Sequence, residues 1–131
     1  MFRTTLSVRT TAREELIDVT GQVRAAARES GRAQGIVTVY VPHTTAAVTI
    51  NENADPDVQH DLLAWLRRLV PPDPSFRHAE GNSDGHIKSS LIGVTAQVPL
   101  VDGELLLGRW QGIYFCEFDG PRLRQLEIIV A

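Results

Sequence analysis

"VTAQVPLVDGELLLG", residues 94–108, decides the fold class. Two apolar runs flank the pair Asp102-Gly103. Such a pair marks a two-residue hairpin, because both turn positions need positive φ and Asp and Gly tolerate it. A hairpin joins antiparallel neighbours, so the sheet built from this segment is expected to be mostly antiparallel. Working outward toward the C-terminus, "WQGIYFCEF" (110–118) and "RLRQLEIIV" (122–130) read as two further strands, separated by the turn Asp119-Gly120-Pro121. Toward the N-terminus, "GIVTVYVP" (35–42) is rich in β-branched residues and "AAVTINE" (46–52) resumes the pattern. "MFRTTLSVRT" alternates Phe2, Thr4, Leu6 and Val8 against Arg3, Thr5, Ser7 and Arg9, which is a strand with one buried face. "EELIDVT" extends the sheet.

Two helices interrupt this β text. "GQVRAAARES" is expected as a short helix capped by Thr20 and stopped by Gly31. The clearer one starts at Asp55 as N-cap with Pro56 in the first turn, and Pro71, Pro72 and Pro74 end it. Val58, Leu62, Trp65, Leu66 and Leu69 form its apolar stripe, so Trp65 is expected in the core. His60 falls off that stripe, onto the surface. "HIKSSLIG" holds at most a short helical turn, anchored by Ile87, Leu91 and Ile92. The tally is α+β: a mostly antiparallel β-sandwich of about seven strands with two main helices, in a single domain over 1–131.

Composition bounds the function. The chain has 131 residues, 43% hydrophobic and 22% charged, with net charge −3. No basic run suggests a nucleic-acid groove, and no apolar run approaches the ~20 residues that span a bilayer. The first ten residues lack the apolar core of a signal peptide, so a cytoplasmic location is expected. The single cysteine, Cys116, excludes an internal disulfide and reads as a small buried hydrophobe.

One stretch is too polar for its length. In "HAEGNSDGHIKSSLIG" (78–93), Ile87 is the only large apolar side chain between His78 and Ser90. His78 and His86 flank Glu80 and Asp84, and imidazole with carboxylate suits a divalent metal such as zinc or magnesium. The spacing matches no local zinc motif. Lys88, Ser89 and Ser90 add a cation and two hydroxyls, and the N–H groups of a helical turn near His86 favour an anion. A polar turn capping that helix through Ser83 or Asp84 is the alternative reading. His43-Thr44-Thr45, where the strand 35–42 ends, adds a third histidine and two hydroxyls.

"HTTAAVTINENADPDV", "HAEGNSDGHIKSSLIG" and "LGRWQGIYFCEFDGPR" together resemble three hallmark stretches of the YjbQ family, over nearly the whole chain. Members carry the name secondary thiamine-phosphate synthase enzymes. The visible departure is Gly85, where the family pattern reads alanine, a change expected to disturb little. The resemblance implies an α+β subunit in a homotrimer, a pocket lined by the polar motifs and a possible divalent metal. It further implies a phosphorylated small-molecule substrate, a pyrimidine methyl diphosphate joined to a thiazole phosphate with release of diphosphate. On that basis the metal ligands are expected among His43, His78, His86 and Glu80, and the catalytic groups among Asp84, His86 and Lys88. Thr44, Thr45, Asn82, Ser83, Ser89, Ser90, Trp110 and Arg122 are expected to bind substrate. Lys88 would hold the leaving group as a point charge. If only two of the three histidines converge, His78 is expected to be the one outside. A metal- or phosphometabolite-binding protein, or a metal-dependent hydrolase, whose synthase activity is incidental is the second reading.

Overall fold

The computed structural model describes all residues, 1–131. Eight strands and three helices follow one another as β1 (Phe2–Arg9), β2 (Glu15–Asp18), α1 (Thr20–Glu29), β3 (Gly35–Tyr40), β4 (Ala46–Glu52), α2 (Pro56–Leu69), α3 (Ser83–Ile92), β5 (Thr95–Val101), β6 (Glu104–Leu105), β7 (Gln111–Glu117) and β8 (Leu123–Val130). The 94–108 segment forms the expected hairpin. Asp102 and Gly103 take φ 51° and 79°, and Leu100 pairs with Leu105. Every strand pairing is antiparallel. A five-stranded sheet runs β1-β8-β3-β5-β6 and a three-stranded sheet runs β2-β7-β4.

The period-2 patterns explain how the layers stack. Val37 and Val39 of β3, Val98 and Leu100 of β5, and Leu126, Ile128 and Val130 of β8 turn inward from the large sheet. Ala46 and Val48 of β4 and Ile113 and Phe115 of β7 meet them from the small one, and Val23, Ala26 and Ala27 of α1 join the same core. The opposite face of the small sheet presents Ala47 and Cys116, which pack with Phe118, with Leu66 of α2 and against Ile92 of α3. The order is therefore large sheet, small sheet, helix layer. Cys116 is 1% exposed, as expected of a small buried hydrophobe, and burial pushes its thiol up to about 12.

The helices depart from expectation in three ways. Thr20 lies inside α1. Its hydroxyl donates to Asp18 Oδ1 (2.6 Å) and accepts from the Ile113 N–H (2.8 Å), so it ties the helix to β7, while Asp18 also receives the Thr20 N–H. In α2, Asp55 caps through the Asp57 N–H (2.9 Å) with Pro56 first, as read from sequence. Its stripe is only partly covered, however. Leu66 is buried, but Trp65 and Leu69 are each 60% exposed, and Trp65 lies under the Arg68 guanidinium. The turn expected near His86 is a full ten-residue helix, α3, and it packs with inverted polarity. Asp84, Gly85, Lys88 and Ser89 face inward, whereas Ile87 and Leu91 face solvent. Gly85 allows this close approach: a Cβ there would meet the Phe118 carbonyl oxygen at 2.8 Å, so alanine would require local movement.

Candidate functional site

The inward face of α3 is held by ion pairs. Lys88 Nζ donates to Glu14 Oε2 (2.9 Å) and Asp84 Oδ2 (3.3 Å), with the lysine side chain fully buried. Arg13 grips Asp84 with both terminal nitrogens (3.0 and 3.1 Å), and Arg67 of α2 reaches Glu14 (3.1 Å). Burial would raise the Asp84 carboxyl, but Arg13 and then Lys88 outweigh it and hold it below the usual range. Ser89 Oγ donates to the Ala46 carbonyl (2.6 Å), fastening α3 to β4. Asp84, Lys88 and Ser89 therefore join α3 to the β1–β2 connection and to β4, and Glu14 carries the link on to Arg67 of α2. The polarity of Asp84, Lys88 and Ser89 follows from pairing with segments 43 to 74 residues away in the chain, and none of these three lines the polar cavity described next.

At one end of the sandwich the core itself becomes polar. Thr10 continues the inward phase of Val8 from β1, Glu117 that of Phe115 in β7, and Arg124 that of Leu126 in β8. They meet between the sheets. The Arg124 guanidinium donates to both oxygens of Glu117 through Nε (2.9 and 3.1 Å) and Nη2, and to Thr45 Oγ1 (2.9 Å). Thr10 Oγ1 donates to Glu117 Oε1 (2.6 Å). Burial works to raise the Glu117 carboxyl, yet bonds from Arg124 and Thr10 hold it below its ordinary value. The pair is buried, and an unpaired charge there would be strongly unfavourable.

Above this plug lies an open cavity of about 360 Å³. The β3–β4 connection contributes Pro42, His43, Thr44 and Thr45, the α3 side contributes Glu80, Asn82 and His86, and the β7–β8 side contributes Asp119, Arg122 and Arg124. Apart from Pro42, every lining side chain is polar. A wider groove of about 820 Å³ shares Pro42, His43, Thr44 and His86 with it, and adds Tyr40, Ser89 and Ser90. Asn82 Nδ2 donates to Asp119 Oδ2 (2.7 Å), and Arg122 grips the same residue through its carbonyl (2.8 Å) and Oδ2 (3.0 Å). Asn82 Oδ1 is the one buried side-chain nitrogen or oxygen without a partner. His43 Nε2 accepts the Gln125 N–H (2.9 Å). Burial, and then the nearby Arg124 charge, lower the His43 pKa below 6.5. A neutral ring accepting at Nε2 carries its proton on Nδ1.

Of the residues singled out from sequence, His43, Thr44, Thr45, Glu80, Asn82, His86 and Arg122 meet at this cavity. His78 stands outside. It lines a separate cavity with Ser83 and Asp84 and touches His86 edge-on, with ring centres 5.2 Å apart. Ser90 borders the groove, and its hydroxyl donates to the His86 carbonyl (3.0 Å). Trp110 is 53% exposed beneath Arg109 and lines neither space. Within one chain no three His, Cys, Asp or Glu side chains are drawn together as ready metal ligands, and His43 Nε2 accepts the Gln125 N–H, so His43, His78, His86 and Glu80 are not assembled into one ligand set. Arg124 lies outside the motifs singled out from sequence, whereas Glu117 and Asp119 lie within "LGRWQGIYFCEFDGPR", which resembles the family, without a role being assigned to them there. Their signal was present, since a charged residue in phase with Leu126, Ile128 and Val130, or with Ile113 and Phe115, occupies a core position and demands a partner.

Two antiparallel sheets, a helix layer and a solvent-open polar cavity at the charged end of the core define an α+β sandwich protein with a small-molecule-sized site. The model of the UPF0047, YjbQ-like family matches residues 4–131, and the chain belongs to that family. It is 53% identical over 121 residues to a UPF0047 protein of Methanocaldococcus jannaschii, covering 92% of this chain and 88% of that one. It is 51% identical to the UPF0047 protein YugU of Bacillus subtilis, covering 92% of each. The crystal structure of a YjbQ/UPF0047 family protein from Clostridium acetobutylicum superposes with TM-score 0.96 at 47% identity, over 98% of this chain and 99% of that one. That of a hypothetical protein from Aeropyrum pernix superposes with TM-score 0.95 at 38% identity, over 100% and 98%. No helix is long and apolar enough to cross a membrane.

Proposed function

We propose that the polar cavity binds a phosphorylated small molecule and that the chain joins a pyrimidine methyl diphosphate to a thiazole phosphate. The thiazole ring nitrogen attacks the exocyclic methylene carbon, a C–N bond forms, and the C–O bond to diphosphate breaks with its electron pair leaving on oxygen. That nitrogen carries no proton, so no general base is required. The chemical demand is stabilisation of the departing diphosphate. The observation that carries this reading is the convergence of three separate segments on one polar cavity holding two arginines, two histidines and two threonines. Thr44, His86 and Arg122 supply donors there, and Glu80 and Asp119 face the positive charge that develops on the product's ring. Lys88 and Asp84 take no part, because their charges are engaged away from the cavity. No step passes through a metal.

The solvent-facing Trp65, Leu69, Ile87 and Leu91 support a homotrimer, which would cover apolar surface that one chain leaves open. Light scattering should then give three times 14.5 kDa. The activity is tested by incubating the chain with both precursors and measuring thiamine phosphate and diphosphate together. Stoichiometric appearance of both supports the transfer. Release of phosphate from a panel of esters without thiamine phosphate would replace it with a hydrolase, and saturable binding without turnover would replace it with a phosphometabolite-binding protein.

A further inference from the structure

Arg122 and Arg124 are arranged as a pair. Two residues apart in extended chain, they leave the backbone on one face about 6.6 Å apart along the strand. Each is pinned by an acid from the end of β7. Arg122 holds the Asp119 carbonyl and carboxylate through Nε and Nη2, and Arg124 holds Glu117 through the same two nitrogens. In both side chains Nη1 makes no bond within the protein. Arg124 is only 4% exposed, yet its Nη1 is not among the buried atoms lacking a partner, so that nitrogen reaches open space. The space that Arg124 lines is the polar cavity, and Arg122 lines it too.

Thr10 ties the two pairs together. Its hydroxyl donates to Glu117 Oε1 (2.6 Å) and accepts from the Arg122 N–H (2.8 Å), and the Asp119 N–H donates to Glu117 Oε2 (3.2 Å). The guanidiniums are thus fixed before any ligand arrives, which limits the ordering that binding requires. Because each arginine is neutralised by its own carboxylate, recognition rests on directed N–H donors more than on net charge.

We propose that the free Nη1 edges of Arg122 and Arg124 form a two-point clip that selects a diphosphate over a monophosphate. This rests on the reading that the cavity takes a phosphorylated ligand, and it names Arg124 as a ligand-contacting residue. A diphosphate places one phosphoryl group on each guanidinium. Orthophosphate reaches one.

The test is calorimetric titration of the full chain with pyrophosphate and, separately, with orthophosphate. Pyrophosphate should bind roughly 10- to 100-fold tighter, the factor that one additional charge-assisted hydrogen bond supplies. Arg122→Gln, at a half-exposed side chain, should keep its melting temperature and lose that preference. Arg124→Lys keeps a cation beside Glu117, removes the fork and should lose the preference as well. Equal affinity for the two anions, or an Arg122→Gln protein that retains the preference, overturns the clip. Selective pyrophosphate binding by a chain that forms no thiamine phosphate supports the clip and refutes the transfer reaction. Absence of binding by either anion overturns the clip and the phosphorylated-ligand reading together.

Discussion

Replacing Lys88 with methionine separates a buried structural lysine from a solvent-facing one. The side chain is fully buried, with Nζ 2.9 Å from Glu14 and 3.3 Å from Asp84. Methionine fills similar space but leaves two buried carboxylates without their shared cation. Removing one partner of a buried pair costs about 3–5 kcal/mol. Each acid keeps one arginine, Arg13 for Asp84 and Arg67 for Glu14, so the low end, about 3 kcal/mol, applies. Unfolding entropy near 2.1 cal/mol/K per residue gives about 0.28 kcal/mol per degree for a chain of this length, so Tm should fall by about 11 °C. A solvated lysine would change stability by less than about 0.5 kcal/mol, or about 2 °C. Thermal unfolding at pH 7 followed by circular dichroism reads the difference. In the folded variant, pyrophosphate affinity should stay within about twofold, because Nζ does not reach the cavity and less than half a kcal/mol separates the two proteins. A shift below about 3 °C, or lost binding in a stable protein, would refute this account of Lys88.

Three further outcomes are expected. Asp84 and Glu117 are held below their ordinary values of 3.8 and 4.5, so their stabilisation is complete above those values and disappears as pH falls through the lower folded-state ones. Tm should therefore be flat above about pH 5 and drop toward about pH 2, and a Tm that rises on acidification contradicts the ion-pair assignment. Cys116, with its thiol pushed up to about 12 and 1% exposed, should resist a thiol reagent at pH 8 until the protein is unfolded, and rapid labelling of the native chain would show otherwise. The His43 ring should titrate below 6.5 with its proton on Nδ1, and a nitrogen NMR spectrum showing the Nε2–H tautomer would remove the Gln125 contact from the account.

Where sequence alone sufficed, it did so through periodicity and turn chemistry. Asp102-Gly103 specified its hairpin, and the alternation in β1 assigned that strand its inward face, because both signals are local. The α3 segment hid its length and orientation for the opposite reason. Its buried side carries Asp84, Lys88 and Ser89, whose partners are Arg13, Glu14 and Ala46, and nothing within the segment announces them. The outward-facing Ile87 and Leu91 made the apolar side look like the core side. Trp65 misled in the same way, since a stripe at helical spacing indicates an apolar face but not what covers it. In the site, the β3–β4 residues and the 80–86 group were legible as dense polar clusters. Arg124 was harder, because it sits alone within an apolar strand and only the packed sheets bring it to Glu117.

A crystal structure of the chain soaked with the pyrimidine methyl diphosphate tests the central claim most directly. The diphosphate is expected in the cavity beside His86, with one phosphoryl group within hydrogen-bond reach of each free Nη1 of Arg122 and Arg124. Diphosphate bound instead in the separate cavity of His78 and Ser83, or an empty cavity at saturating ligand, would contradict it.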